Sequence, residues 1–569
     1  MLIIGGGING IATFRDLALQ GVDVALVERG DYLSGASSAS SHMIHGGIRY
    51  LENGEFRLVN ESVHERNRLI RNAPHYVRPL QTTIPIYSTF SGILSAPLRL
   101  LTHRQGKPKE RGAALIKIGL VLYDSFSRDG GSVPRHQFHG RKKSLAELPK
   151  LNPTLKYTAT YFDASVHEPE RLGLDVLADA IAAGAGKAGA ASARASHEYA
   201  SSARASNYVE AAGQAEGGIL LRDVESGEEF PFTAKVIVNA SGPWTDLTND
   251  AIGHATTLMG GTKGSHIVLE HQELFDACDD REIFFENNDG RIVLIQPIKG
   301  RVMVGTTDLD ADPTVPAVCT EEEVDYFFEL VSHVFPTIKV DRPEIVYRFA
   351  GIRPLPKHDD TKPGFVSRDY NIVPGTLAGS AATPVLSLVG GKWTTFRALG
   401  ERLSDEVLQR LGVQRTVSTT DLAIGGGVGF PTTPAARADW VAAHRDTLPA
   451  DRVDSLLGRY GTRAVDFVDA ITAGHDAPLA TDPSYSTAEV RHLAATESVV
   501  HLIDVVLRRT NHAFTGDISM ALLHELADLV GEVNDWDAAR VADEVHATAD
   551  NLRQLHGMLL PETAVHPAE

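Results

Sequence analysis

Cysteine is nearly absent: the 569-residue chain holds two, Cys278 and Cys319. Two thiols so far apart exclude a disulfide-built scaffold, a CxxC zinc site and a cysteine-ligated iron–sulfur cluster, and a reducing, cytoplasmic setting is the expectation. No metal site is expected. Long apolar runs are missing too. None reaches the roughly 18 residues of a spanning helix, and no basic-then-apolar leader opens the chain, so neither membrane crossing nor export by a signal peptide is expected. Positive charge is scarce, with 54 Lys and Arg against 73 Asp and Glu, a net of −19. That balance argues against nucleic-acid binding, which needs a basic face. What is present, 43% apolar and 22% charged residues, is ordinary for a globular enzyme. The length calls for two to four domains at about 100–200 residues each.

The first thirty residues carry the strongest pattern. The apolar run Met1–Ile4 leads into Gly5-Gly6-Gly7-Ile8-Asn9-Gly10, a GxGxxG spacing on Gly5, Gly7 and Gly10. Ile11, Phe14, Leu17 and Ala18 then recur at helical spacing, Gly21 stands at a C-cap position, and a second apolar run, Val22–Val27, ends in Glu28. This is strand, glycine turn, helix, strand, acidic residue. In such a unit the first glycine permits the tight turn, the second lets backbone approach a pyrophosphate, and the third lets helix pack on strand. The helix N-terminus offers amides and a positive dipole end to phosphate, and Glu28 can accept ribose hydroxyls. The unit binds a dinucleotide.

Residues 34–50, SGASSASSHMIHGGIRY, point to a flavin rather than a nicotinamide dinucleotide. Ser37, Ser38, Ser40 and Ser41 are donors for phosphate and ring oxygens, and Gly46-Gly47 lets a flat ring lie on backbone. His45, Arg49 and Tyr50 add a titratable group, a cation and a ring, and no further βα units follow. Two later stretches suit the same cofactor. Lys235–Gly242 is a buried-strand pattern that would bring Ala240 and Gly242 to the adenosine half. Gly390-Gly391-Lys392-Trp393-Thr394 offers glycine backbone to an electron-rich ring. Arg353 is presented from a turn between Gly351 and Pro354. Arg49, Arg353 and Lys392 all lie beside glycines, and three converging cations would hold an anionic substrate.

Seven stretches occur in order: GGGINGIA, SSASSHMIHGGIRYLENGEFRLV, VNASGPWTD, KGSHIV, VGTTD, AGIRPL and GGKWTTFR. Together they resemble the FAD-dependent glycerol-3-phosphate dehydrogenases of the aerobic, homomeric type, from residue 1 to about 425, with looser similarity around DVVLRRTNHAF. The resemblance implies an α/β fold: a Rossmann-like FAD-binding domain of the glutathione-reductase and D-amino-acid-oxidase type, a sheet-containing substrate domain and a C-terminal all-helical domain. The FAD domain would comprise 1–75, 155–260 and 345–410, the substrate domain 76–154 and 261–344, and the helical domain 430–569. FAD would be held by Gly5, Gly7, Gly10, Glu28, Ser37, Ser38, Ser41, Gly46, Gly47, Val209, Ala240, Gly242, Gly391, Lys392 and Thr394. Arg49, Arg353 and Lys392 would clamp the substrate's phosphate, with Tyr50, Thr306 and Thr307 lining the pocket. The implied reaction takes sn-glycerol 3-phosphate to dihydroxyacetone phosphate, with hydride leaving C2 for the flavin while a base, His266 first and His45 second, takes the hydroxyl proton.

The family passes electrons to a quinone at the inner face of the cytoplasmic membrane. Arg99, Arg104, Lys107, Lys109, Arg111 and Lys117, flanked by apolar residues to Val121, suit an anionic lipid surface. A homodimer is a further expectation, through the helical domain. Other readings are an oxygen-using glycerol-3-phosphate oxidase, another FAD-dependent hydroxy-acid or amino-acid oxidoreductase, and a non-catalytic FAD-binding scaffold. Two departures from the family stand out. Residues 182–206 are an Ala/Ser/Gly-rich insert expected as helix end or linker, and His42 stands where relatives often have Lys.

Overall fold

The computed structural model describes residues 1–48, 55–89, 113–126, 133–185, 203–286, 292–357, 369–377, 383–445 and 447–563. Arg49 and Tyr50 lie outside them, as does the basic run up to Arg111.

Strand β1 (Leu2–Ile4), helix α1 (Ile8–Leu19) and strand β2 (Val24–Val27) form the βαβ unit read from the sequence. β1 and β2 pair in parallel and are wholly buried, which explains their uninterrupted apolar character. Gly21 has φ +75° just past α1, where a left-handed residue is needed. The sheet has six strands, in the order Asn371–Thr376, Pro384–Val389, Ile237–Asn239, β1, β2, Ala203–Ser206, all parallel except the first pair. The edge strand Ala203–Ser206 falls inside the insert expected as helix end or linker. It pairs with Val24–Val27, so part of that stretch belongs to the sheet.

Among the described residues a second, larger sheet has ten strands. Its middle is a meander of Glu282–Glu286, Ile292–Ile298 and Arg301–Gly305, the last two joined through Lys299 and Gly300, both at positive φ. Strand Met259–Leu269 pairs with Arg301–Gly305 and also with the long strand Ile345–Pro356. Strand Tyr157–Val166 pairs with Val77–Ile86 over ten residues. Strands Tyr157–Val166 and Ile345–Pro356 fall in segments expected for the FAD domain. They join the larger sheet because their backbone partners, Val77–Ile86 and Met259–Leu269, lie there. From Pro434 to His556 the described chain is mainly helical, with buried clusters around Val453, Leu456 and Phe467 and around Leu502, Leu523 and Leu552. Among the described residues no helix is long and apolar enough to cross a membrane.

Candidate active site

The glycine turn is sterically specified. Gly5 has φ +114°, and a Cβ there would sit 2.6 Å from the Ala240 carbonyl carbon. A Cβ on Gly10 would lie 2.0 Å from the Gly5 carbonyl oxygen, so turn, helix and neighbouring strand close together only without side chains at both positions. Gly7 is the N-cap of α1, with Ser37 Oγ 3.3 Å from where its Cβ would be. Ser37 Oγ accepts from the Ile8 amide at 3.0 Å, which places a hydroxyl at the positive end of the helix. Glu28 accepts from the amides of Gly6 (2.7 Å) and Gly30 (2.9 Å), tying the glycine turn to the following loop, and burial raises the pKa of its carboxyl. The Val209 amide donates to the Glu28 carbonyl and the Ala240 amide to the Ile4 carbonyl, each at 2.8 Å. Gly242 and Gly391 both have positive φ, and a Cβ on Gly391 would lie 2.5 Å from Asn9 Nδ2. Asn9 Oδ1 is buried and has no hydrogen-bond partner within the protein. Backbone cleared of Cβ atoms, a helix N-terminus and an unpaired buried acceptor fit an adenine dinucleotide.

A second group of residues frames the turn at Gly46-Gly47. The His45 amide donates to Thr394 Oγ1 at 3.2 Å. The Gly46 amide points at both Asp163 Oδ1 (2.9 Å) and the Tyr123 hydroxyl oxygen (3.0 Å). Asp163 is ion-paired with Arg66 at 3.0 Å, both side chains being buried, and accepts from the Tyr123 hydroxyl. Sequence reading missed Arg66, Tyr123 and Asp163. Helix, helix and strand supply them from separate segments, and no local motif links them.

The third group stands on the strand pair Met259–Leu269 and Ile345–Pro356, where His266 faces Phe349 and Thr262 faces Arg353, so Arg353 is carried by a paired strand and not by the turn expected between Gly351 and Pro354. His266 is 1% exposed. Its Nε2 is 2.8 Å from Ser41 Oγ, and its Nδ1 is buried without a partner. Burial, with Arg353 adding to it, pushes its pKa down to about 3. Arg353 donates to Asp308 Oδ1 (3.0 Å), Thr306 Oγ1 (2.9 Å) and the Thr307 carbonyl (3.1 Å).

Other expected site residues face elsewhere. Thr307 Oγ1 donates to Glu323 at 2.7 Å and accepts from the Ser265 amide, so its hydroxyl is committed to a buried carboxylate that also takes Lys263 and Ser265. Lys392 donates to Ser62 Oγ on helix Phe56–Asn72 at 2.7 Å, and Ser38 donates back into its own turn, to the Gly35 carbonyl. The structure thus joins Ser41, His266, Thr306 and Arg353 in one cluster and the glycines with Glu28, Ser37 and Ala240 in another.

Residues 1–396 match the family model described as FAD dependent oxidoreductase, and residues 417–541 match the C-terminal domain of alpha-glycerophosphate oxidase. A glycerol-3-phosphate dehydrogenase of Synechocystis sp. is 30% identical, covering 100% of this chain and 98% of its own length. A D-erythritol 1-phosphate dehydrogenase of Brucella abortus is 31% identical over 90% of this chain and 94% of its own. The crystal structure of a Bacillus halodurans glycerol-3-phosphate dehydrogenase complexed with FAD shares the fold, at TM-score 0.70 and 22% identity, over 97% of this chain and 94% of that one.

Proposed function

The chain belongs to the family of FAD-dependent glycerol-3-phosphate dehydrogenases, and from that premise we propose that it oxidises sn-glycerol 3-phosphate to dihydroxyacetone phosphate. The observation that supports this most is His266 and Arg353 on one strand pair, with Thr306 held against Arg353: a neutral base beside a cation suited to phosphate. When bound, FAD supplies the two-electron acceptor for the hydride from C2. The protein supplies position and proton handling. Arg353 presents a fork suited to a phosphoryl group and is already oriented by Asp308 and Thr306. Arg49 is the second cation of the clamp in this reading, whereas Lys392 is turned to Ser62. His266 is neutral near pH 7; in the tautomer that donates Nε2–H to Ser41, its Nδ1 keeps a lone pair for the substrate hydroxyl proton. Thr307 serves the pocket indirectly, by fixing the Thr306–Asp308 segment through Glu323.

Electrons then pass to a quinone-type acceptor from a protein held peripherally on an anionic membrane. Helix Ala113–Phe126 supports this, because Ile118, Val121 and Leu122 are 59%, 54% and 43% exposed on its outer face. An oxygen-using oxidase is the second reading, favoured by the match of residues 417–541 to a glycerophosphate oxidase domain. One experiment addresses both. Anaerobic addition of glycerol 3-phosphate to the purified yellow protein bleaches the flavin absorbance if the substrate is right. An unchanged spectrum, or bleaching by a longer polyol phosphate alone, overturns it. Admitting oxygen to the reduced protein then separates the acceptors, since stoichiometric peroxide on the catalytic timescale marks the oxidase.

A further inference from the structure

Asp31 lies three residues beyond Glu28, in the loop that returns the chain to α1 at Ser37. It is 2% exposed, yet it is an anion with two cations of the C-terminal helical domain on it. Arg508 Nε and Arg509 Nη1 both donate to Oδ2, and Arg509 Nη2 donates to Oδ1 at 2.9 Å. Consecutive residues of an α-helix point about 100° apart and do not share a target. Here residues Val505–Arg509 form a π turn, with the Thr510 amide donating to the Val505 carbonyl at 3.0 Å, and both guanidinium groups reach one carboxylate.

The arginines are themselves held. Arg509 Nη2 also donates to the Glu497 carbonyl at 2.8 Å, and Arg508 Nη2 to Asp504 Oδ1 at 2.9 Å. Asp504 Oδ1 in turn accepts from the Tyr208 hydroxyl at 2.7 Å. On the other side of Asp31, the loop is bound to the dinucleotide turn. The Leu33 amide donates to the Gly6 carbonyl at 3.0 Å, the Gly30 amide to Glu28 Oε1, and the Tyr208 amide to the Gly30 carbonyl at 3.0 Å. A buried ion cluster is an unreliable source of net stability, because desolvation offsets the attraction between its charges. What this one does provide is a physical link, since it joins the Glu28–Ser37 loop, whose Ser37 reaches the N-terminus of α1, to the π turn of the helical domain.

We propose that Arg508 and Arg509 are positioning residues for the dinucleotide: by gripping Asp31 they hold the loop carrying Glu28 and Ser37 in its binding shape, so that retention of FAD depends on the C-terminal helical domain. The proposal concerns the adenosine and pyrophosphate end of the cofactor and does not depend on which alcohol is oxidised.

The test uses the full-length holoenzyme without substrate. Release of FAD after dilution is followed by the rise in flavin fluorescence, for the wild type and for Asp31→Asn, Arg509→Lys and, as a control, Arg452→Lys. Arg452 makes a comparable ion pair to the buried Glu489 within the helical domain, away from the loop. The expected result is release at least ~10-fold faster in Asp31→Asn and Arg509→Lys, and an unchanged rate in Arg452→Lys. Wild-type release from folded Asp31→Asn and Arg509→Lys overturns the proposal, and so does equal acceleration in the Arg452→Lys control. Where either loop variant fails to fold, Arg508→Lys is read by the same two criteria. It keeps the charge, and Asp31 keeps its Arg509 partner.

Discussion

His266 and Phe349 face each other across an antiparallel strand pair with their rings stacked, the centroids 4.6 Å apart and the planes 9° apart. The stack fixes the imidazole plane, and Ser41 fixes its rotation through Nε2. A positioned base of this kind contributes about 10²–10⁴-fold to a proton-coupled step. His266→Gln is therefore expected to slow anaerobic flavin reduction by glycerol 3-phosphate by about that factor while FAD stays bound. Stopped-flow absorbance measures it, and a rate within twofold of wild type removes His266 from the reaction.

The pH dependence follows from the same burial. A histidine ordinarily titrates near 6.5, but His266 is pushed to about 3 by desolvation and by Arg353. It therefore stays neutral in the folded protein from pH 8 down to pH 5. The acid limb of the substrate-reduction rate that belongs to this group should fall near pH 3–4, not near 6.5. The stability sign is opposite to that of a salt-bridged histidine. Below pH 6.5 the unfolded chain binds a proton that the folded one refuses, so His266 lowers stability progressively as pH falls from 6.5 towards 3 and costs nothing above 6.5. Denaturant midpoints of wild type and His266→Gln compared at pH 7.5 and 5 check this, with the variant gaining relative to wild type at pH 5.

A change at Arg353 is expected to separate binding from chemistry. Its guanidinium is held by Asp308 and Thr306, and its side chain is 24% exposed, so it is both oriented and accessible. Arg353→Lys keeps the charge and loses the fork. Raising KM for glycerol 3-phosphate by about 10–100-fold is the expected effect, from roughly 1.5–3 kcal/mol of charge-assisted hydrogen bonding. Steady-state kinetics on the FAD-saturated variant measures it, and an unchanged KM shows that the phosphate sits elsewhere.

The glycine turn and the partners of Arg353 show how far the sequence could be read. Gly5 and Gly10 were legible because a 2.6 Å and a 2.0 Å approach to backbone leave no room for any side chain, and that demand is written directly into the residue type. Helix α1 and the buried strands β1 and β2 were legible from apolar period alone. The segments that form strands Tyr157–Val166 and Ile345–Pro356 were not read as strands and were placed in the other domain, since strand pairing between distant segments leaves no local mark. Thr307 was expected to line a pocket, but it lies in the short connection after strand Arg301–Gly305, and Glu323, sixteen positions on, takes its hydroxyl. Asp31 with Arg508 and Arg509 was out of reach altogether, because the partners are separated by more than 470 residues.

Gly10→Ala tests the cradle directly. Its Cβ would fall 2.0 Å from the Gly5 carbonyl oxygen, and neither atom can move without opening the packing of α1 against β1. The variant is expected to purify without bound FAD, as read by the ratio of absorbance at 450 and 280 nm, while its far-ultraviolet dichroism stays close to that of the wild type. A fully yellow Gly10→Ala protein would place the cofactor off this turn.

Helix Ala113–Phe126 connects a surface to the interior. Leu120 and Tyr123 are buried, and the Tyr123 hydroxyl lies 3.0 Å from the Gly46 amide and donates to Asp163. On the opposite face Ile118, Val121 and Leu122 meet water, in a chain whose net charge of −19 would otherwise repel anionic lipid. An apolar stripe of that size is stabilised by insertion at a headgroup boundary, at about 25 cal/mol per Å² removed from water. Ile118→Glu combined with Val121→Glu changes the outer face alone. The double variant is expected to lose at least ~10-fold in partition onto vesicles of anionic phospholipid, measured by flotation at low salt, while reduction by glycerol 3-phosphate keeps its rate. If the wild-type protein stays off such vesicles, or the variant floats with them equally well, helix Ala113–Phe126 is not the docking face, and electrons reach their acceptor by another surface.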